Sequence, residues 1–229
     1  MRAVLHVISD RQRKPVPLLD VLTQAAEGGA DVIQIREKKA PAIETYQLCT
    51  SLKEKLSQMD RTPQLFVNDR VDVAMAVCAD GVHLASRSLP PGVVKTVTKQ
   101  SSWHGLVGVS VHSVEEAKLA AAAGVDYVTF GHIFASESHQ GEPPRGLLAL
   151  ERVVGAVDIP VIAIGGIDVH NVGPVLDTGC SGVAVIGAVL HHANPRYATE
   201  RLKEEMDKAR TKPRFAFPVG TVNAIGEFL

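Results

Sequence analysis

The residues best suited to chemistry stand directly behind β-like apolar runs. Tyr127-Val128-Thr129-Phe130-Gly131 is followed by His132, and an imidazole titrates near neutrality, so it can take and return a proton within one cycle. Two later runs also end on glycine, one at Gly165-Gly166 and one at Ile186-Gly187. Glycine lets main-chain N–H groups approach an anion closely, and a helix start behind each adds positive potential. Glycines at strand ends also serve as plain turns, so a phosphate cradle and a structural role both stand at this point.

Gln34-Ile35-Arg36-Glu37-Lys38 alternates in a way that puts Gln34, Arg36 and Lys38 on one side while the chain stays extended. An amide and two cations on one face suit a carboxylate or phosphate, or else form a solvated rim with salt bridges. Glu37 has the opposite parity and is either a partner for those cations or a second proton carrier beside His132. Asn68-Asp69 and Ser110 follow other strand-like runs and join the candidate ring, whereas His83 and His112 read as local hydrogen-bonding residues. No His, Cys or carboxylate group has convincing metal-ligand spacing, so neither a metal nor a cofactor is expected.

The elements that must position these groups alternate along the chain. Strands are expected near 3–8, 32–36, 64–68, 81–85, 106–110, 127–131, 159–164 and 182–186. Helices fit between them at 17–28, 41–58, 70–78, 90–98, 114–123, 146–156, 169–178 and 195–209. Ser113, followed by Glu115 and Glu116, supplies an N-cap with acids in the first turn. Repeated βα units of this kind close a single (β/α)8 TIM barrel whose functional groups sit at the C-terminal strand ends.

A weak internal echo supports that closure. Gly29-Ala30-Asp31-Val32, Ala79-Asp80-Gly81-Val82, Gly124-Val125-Asp126-Tyr127 and Cys180-Ser181-Gly182-Val183 recur before every second strand. Asp31, Asp80 and Asp126 therefore fall where strands begin, on the stability face of the barrel. The barrel is expected over 1–210, with 211–229 a C-terminal tail that is flexible, an interface arm or foreign sequence. The loop 135–146 is long and polar, which suits a mobile cover as well as a plain surface loop.

Composition bounds the function. The 229 residues are 45% hydrophobic and 21% charged with a formal net charge of −1, enough for one sizeable core and without general attraction for polyanions. Nucleic acid and membrane surfaces are thus poor default partners. No run is long and apolar enough to span a bilayer. Cys49, Cys78 and Cys180 are odd in number and sit in apolar contexts, which fits buried thiols in a reducing compartment. A cytoplasmic location is expected.

These segments, together with Val67-Asn68-Asp69-Arg70-Val71-Asp72-Val73-Ala74, Ala79-Asp80-Gly81-Val82-His83-Leu84 and Gly108-Val109-Ser110-Val111-His112-Ser113, resemble the thiamin phosphate synthase and TenI superfamily in order over about residues 3–210. The resemblance implies a TIM barrel and thiamin metabolism, with a small thiazole phosphate as substrate, and is compatible with a homodimer. Two departures bear on the branch. Synthases typically read Gly-Gln-x-Asp where this chain has Ala85-Ser86-Arg87-Ser88, so the second carboxylate for magnesium is missing. They also read Gly-Pro-Ile-Phe-x-Thr with a following lysine, where this chain has Gly131-His132-Ile133-Phe134-Ala135-Ser136 and His139.

Gly-His-x-Phe resembles the TenI branch of thiazole tautomerases. The activity so implied is metal-free isomerisation of a dihydrothiazole carboxylate phosphate to the aromatic thiazole. His132 and Glu37 would move the proton, with Arg36 or Lys38 at the carboxylate and Asn68 and Ser110 in the pocket. The phosphate would lie on Gly165, Gly166, Ile186 and Gly187. The alternatives are magnesium-dependent transfer of a pyrimidine from its diphosphate to thiazole phosphate, as in thiamin phosphate synthase, and a non-enzymatic regulator of TenI type.

Overall fold

The computed structural model describes residues 1–11, 17–136 and 141–219. Eight parallel strands close in sequence order into one barrel. They are β1 (Val4–Ile8), β2 (Val32–Ile35), β3 (Gln64–Asn68), β4 (Gly81–Leu84), β5 (Leu106–Val111), β6 (Tyr127–Gly131), β7 (Val161–Ile164) and β8 (Gly182–Val185). The helices are α1 (Leu18–Glu27), α2 (Ala42–Leu56), α3 (Val71–Ala76), α4 (Pro91–Lys99), α5 (Val114–Ala122), α6 (Gly146–Ala156), α7 (Val172–Leu176), α8 (Gly187–Leu190) and α9 (Pro195–Met206). The (β/α)8 expectation is met. None of the described helices is long and apolar enough to cross a membrane.

Strand periodicity divides the core into two layers. Val4, Ile8, Val32, Phe66, Leu106, Tyr127, Ile162 and Ala184 pack together inside the barrel. Their strand neighbours Leu5, Val7, Ile33, Ile35, Leu65 and Val67 belong to the larger cluster shared with the helices. Because successive side chains alternate faces, Gln34, Asn68, His83 and Ser110 follow the inner set toward the C-terminal ends. Two inner positions are glycine for steric reasons. A Cβ at Gly81 would collide with the Phe66 ring, and one at Gly108 with the Tyr127 ring.

The echo before alternate strands is a hydrogen-bonding device. Asp31, Asp80 and Asp126 lead β2, β4 and β6. Each accepts an N–H from the preceding strand: Leu5 at 2.8 Å, Leu65 at 2.8 Å and Val107 at 2.7 Å. Ser181 Oγ does the same for Val161 at 3.3 Å. Asp31 also receives Lys203 Nζ of α9 at 2.6 Å, which ties the last helix to the second strand. Burial pushes the Asp31 carboxyl up, but Lys203, the Leu5 N–H and Arg61 outweigh it and hold the group below its ordinary value.

Local signals account for several ends. Ser113 Oγ accepts the Glu116 N–H at 3.1 Å, and Glu116 reaches back to the His112 N–H at 2.7 Å, a reciprocal cap for α5. The helix expected over 169–178 shrinks to α7, because Asp168 N bonds Asn171 Oδ1 and His170 N bonds Asp168 Oδ1 in a turn of their own. The short α8 is an addition to the sequence reading. Cys49 and Cys180 are buried as expected, while Cys78 is exposed just beyond α3.

Part of the stretch expected as a tail is built into the barrel. Ser181 Oγ donates to Phe215 O at 2.7 Å, Arg214 N donates to Gly179 O at 2.9 Å, and Phe217 is buried among His6, Phe66 and Tyr127. Residues 220–229 lie outside the described residues, as do 137–140 of the loop expected to act as a cover.

Candidate active site

The C-terminal strand ends surround a cavity of about 510 Å³. Gln34, Arg36 and Lys38 line it from β2, Asn68 from β3, Ser110 from β5 and His132 from the end of β6. Gly165, Gly166, Ile186 and Gly187 close the β7 and β8 side. The parity expected for Gln34, Arg36 and Lys38 is thus what the barrel delivers.

Along the β2–β4 side the polar groups form a chain. Gln34 Nε2 donates to Asn68 Oδ1 at 3.1 Å, and Asn68 Nδ2 donates to Asp69 Oδ2 at 2.6 Å. Asp69 Oδ1 accepts from Ala85 N at 3.3 Å and, at closer range, from the Ser88 hydroxyl. Asp69 sits at a positive φ of 61°, a backbone state that aspartate tolerates better than most residues. Gln34 Oε1 is buried without a hydrogen-bond partner among the described residues. A buried bare acceptor is costly unless a ligand donor meets it.

The cations sit at the rim of the same side. Arg36 N donates to Ser9 Oγ at 2.8 Å, and the Arg36 guanidinium lies 3.6 Å from Asp10. Partial burial and the neighbouring Arg36 and Arg87 charges hold the Lys38 ammonium below its ordinary value. Crowded positive charge of this kind is relieved by an anion.

Glu37 departs from the expectation. Its carboxylate accepts from Ser9 Oγ at 2.7 Å and pairs with Arg11 at 3.3 Å, with only 4% of the side chain exposed. It does not line the cavity, because opposite parity turns it outward against the β1 loop. The structure therefore removes Glu37 from the reacting groups and makes it a support for Ser9, which in turn holds the Arg36 backbone.

His132 is buried at the cavity wall with Nε2 3.3 Å from Glu142 O. Gly165 has φ +101°, and a Cβ there would overlap His132 Cβ; Gly166 has φ +67°, and a Cβ there would lie 2.5 Å from Ala135 O. The glycine pair is thus required first by the close approach of the loop after β6, and its backbone edge faces the cavity as well. α8 starts at Gly187, which puts a helix start beside that edge.

Sequence reading left out several lining residues. Thr129 lies within the β6 run rather than behind it, Asp168 follows the glycine pair, and His191 folds back from the end of α8 onto Gly187. His83, read as local, bonds Tyr127 and Ser110 and still lines the cavity. His112 Nδ1 lies 3.1 Å from Gly131 O.

The sequence model described as thiamine monophosphate synthase (TMP-TENI) matches residues 5–189. The chain belongs to that family. Within it, a thiamine-phosphate synthase of Pyrococcus furiosus is 40% identical over 204 residues, covering 89% of this chain and 95% of the relative. One from Chlorobium phaeovibrioides is 41% identical over 209 residues, covering 90% and 96%. The solved thiamine phosphate pyrophosphorylase of Pyrococcus furiosus superposes with a TM-score of 0.80, covering 90% of this chain and 96% of that one.

These relatives overturn the tautomerase expectation, and with it the isomerase class. The reason is physical as well as statistical. That inference rested on two departures, Ser88 and His132. Yet Ser88 keeps a hydroxyl on the Asp69 carboxylate, and the Gln34–Asn68–Asp69 chain is intact around it.

Proposed function

We propose that this chain is a thiamin phosphate synthase, a transferase that joins a pyrimidine, carried as its diphosphate, to a thiazole phosphate. The single observation that carries the reading is the pairing, in one cavity, of two places for anions. Arg36 and Lys38 stand on the β2 side beside the Gln34–Asn68–Asp69 chain, and the glycine edges of β7 and β8 stand on the other. One diphosphate and one monophosphate match that pair.

In this reaction the thiazole ring nitrogen forms a bond to the methylene carbon of the pyrimidine while the bond from that carbon to the diphosphate oxygen breaks. Charge develops on the departing diphosphate, so fixed cations there lower the barrier more than they bind the ground state. Arg36 and Lys38 take that role. Gln34 is held in one orientation by Asn68, so its bare Oε1 can accept from an amino group on the pyrimidine. The thiazole phosphate lies along Gly165, Gly166 and Gly187, with Ser110 and His132 walling the space between. No proton has to move for the bond to form, and His132 becomes a wall and binding group rather than a shuttle.

The family reaction uses magnesium. Among the described residues no group of three or more His, Cys, Asp or Glu is placed to hold a metal ion. Magnesium needs only one or two protein carboxylates when substrate phosphates and water complete its shell. The Asp69 carboxylate, bonded to the cavity-lining Asn68 and Ala85, and the Ser88 hydroxyl beside it fit that minimal set. When bound there, the metal would neutralise the diphosphate and help it leave.

The test is to supply both substrates with magnesium and measure pyrophosphate. Magnesium-dependent release in step with thiamin phosphate supports the assignment, and absence of release with both substrates bound sinks it.

A further inference from the structure

The barrel floor and the site at its other mouth are connected by one line of buried groups. Phe217 enters the floor from the C-terminal segment, with its ring 5.1 Å from Tyr127 at 73° and 4.8 Å from His6 at 81°. Tyr127 lies over Gly108, where any side chain would displace it. Its hydroxyl is 3.0 Å from His83 Nδ1, and His83 Nε2 is 2.9 Å from Ser110 Oγ at the cavity. Thr129 Oγ1 lies 3.3 Å from Ser110 Oγ and 3.3 Å from His83 Nε2.

Hydrogen accounting gives this line a direction. A buried phenol must place its proton on an acceptor, and His83 Nδ1 is the hydrogen-bond partner the Tyr127 hydroxyl has among the described residues. Nδ1 is then an acceptor, so a neutral ring carries its hydrogen on Nε2 and donates it to Ser110. Burial keeps that ring neutral, pushing its pKa down to about 4. With Nε2–H and the Thr129 hydroxyl both donating to it, Ser110 Oγ has both lone pairs used and only its own hydrogen left to offer.

We infer that Phe217 and Tyr127 are positioning residues for the site at the opposite mouth. Phe217 holds the Tyr127 ring, the Tyr127 hydroxyl fixes His83 as its Nε2–H tautomer, and Ser110 is thereby set to present its hydroxyl hydrogen to a substrate acceptor atom. The inference rests on the assignment of this cavity as the site of pyrimidine transfer only for its catalytic consequence; the tautomer itself does not depend on the reaction.

The experiment combines nitrogen NMR of histidine side chains with steady-state kinetics. In the wild-type protein at pH 7.5, the His83 signal, assigned by its loss in His83→Asn, should show a protonated Nε2 and a bare Nδ1. Tyr127→Phe keeps the ring and removes the donor, so the His83 signal should become a mixture of tautomers and kcat/KM should fall about tenfold or more, the scale of one hydrogen bond. Phe217→Ala should move both readouts in the same direction, and Phe217→Leu should restore them.

A wild-type Nδ1–H tautomer overturns the inference. So does a Phe217→Ala protein that folds and leaves both readouts unchanged. Should Phe217→Ala not fold, the wild-type tautomer and Tyr127→Phe decide alone. Failure of the transferase reading would appear separately, as absent pyrophosphate release with the wild-type tautomer unaffected.

Discussion

Gln34 donates through Nε2 to Asn68 Oδ1 at 3.1 Å, and this bond leaves Gln34 Oε1 as a buried acceptor with no partner among the described residues. The orientation of the amide is therefore fixed before any ligand arrives. A substrate amino group that meets Oε1 removes a desolvation cost of about 1–3 kcal/mol. Asn68 is the pivot, because it also bonds Asp69, which holds Ser88.

Asn68→Ala should therefore act on more than its own contact. It frees the Gln34 amide to rotate and removes a donor from Asp69. We expect a fall in kcat/KM of about 100-fold, from two hydrogen bonds to buried or charged groups at about 1.5 kcal/mol each. Steady-state kinetics with the pyrimidine diphosphate varied checks this, and a loss below threefold would remove Asn68 from the site.

Glu37→Gln and His132→Asn separate support from chemistry. Glu37 pairs with a half-exposed Arg11, and the amide oxygen of a glutamine can still accept from Ser9 Oγ, so Glu37→Gln keeps the support for Ser9. Turnover should stay within about fivefold for Glu37→Gln. His132→Asn should raise KM for thiazole phosphate and lower kcat by less than the factor of about 10²–10⁴ that loss of an acid or base brings. A kcat loss of that size would give His132 a proton to carry after all.

The internal histidines make the fold acid-sensitive. Burial pushes the pKa of His6 down to about 3 and that of His83 down to about 4, whereas in the unfolded chain each takes a proton at about 6.5. Below that value the unfolded state binds more protons than the folded one. Stability is therefore full above about pH 6.5 and is lost as pH falls toward the folded values, by up to about 1.4 kcal/mol per pH unit for each histidine. Neither ring nitrogen of His6 has a hydrogen-bond partner among the described residues. His6→Leu should flatten this dependence, which urea unfolding at pH 7.5, 6.0 and 5.0 would show; equal slopes in both proteins would contradict it.

Asp126 offers a test of the strand-leading acids apart from the site. It accepts the Val107 N–H at 2.7 Å and pairs with Lys95 at 2.9 Å. Asp126→Ala leaves that N–H without its acceptor and should cost about 1–3 kcal/mol. In a chain of this size that lowers Tm by roughly 2–12 °C. Calorimetry checks the shift, with kcat unchanged; an unaltered Tm would make the fourfold echo decorative.

Most of the architecture is legible in the chain because its causes are local. Period-two strands ending on glycine, and the Asp or Ser before every second strand, lie within a few residues of what they control. The parity of Gln34, Arg36 and Lys38 was readable for the same reason. Glu37 was not, since its partners Ser9 and Arg11 come from another strand loop 28 and 26 residues away. Nor was the contact of Tyr127 with His83 across 44 residues, nor the entry of Phe217 into the floor from a stretch without periodicity. Ser88 and His132 point away from the synthase in the sequence because the Gln34–Asn68–Asp69–Ser88 chain is continuous only in three dimensions.

The most direct test of the central claim is phosphorus NMR of the purified protein with pyrimidine diphosphate, thiazole phosphate and magnesium, repeated with Arg36→Ala and with chelator. Pyrophosphate and thiamin phosphate should appear in equal amounts, lost with chelator and slowed by about tenfold or more in Arg36→Ala, as removal of a charge-assisted bond to the leaving group requires. No pyrophosphate from the wild-type protein under these conditions would contradict it.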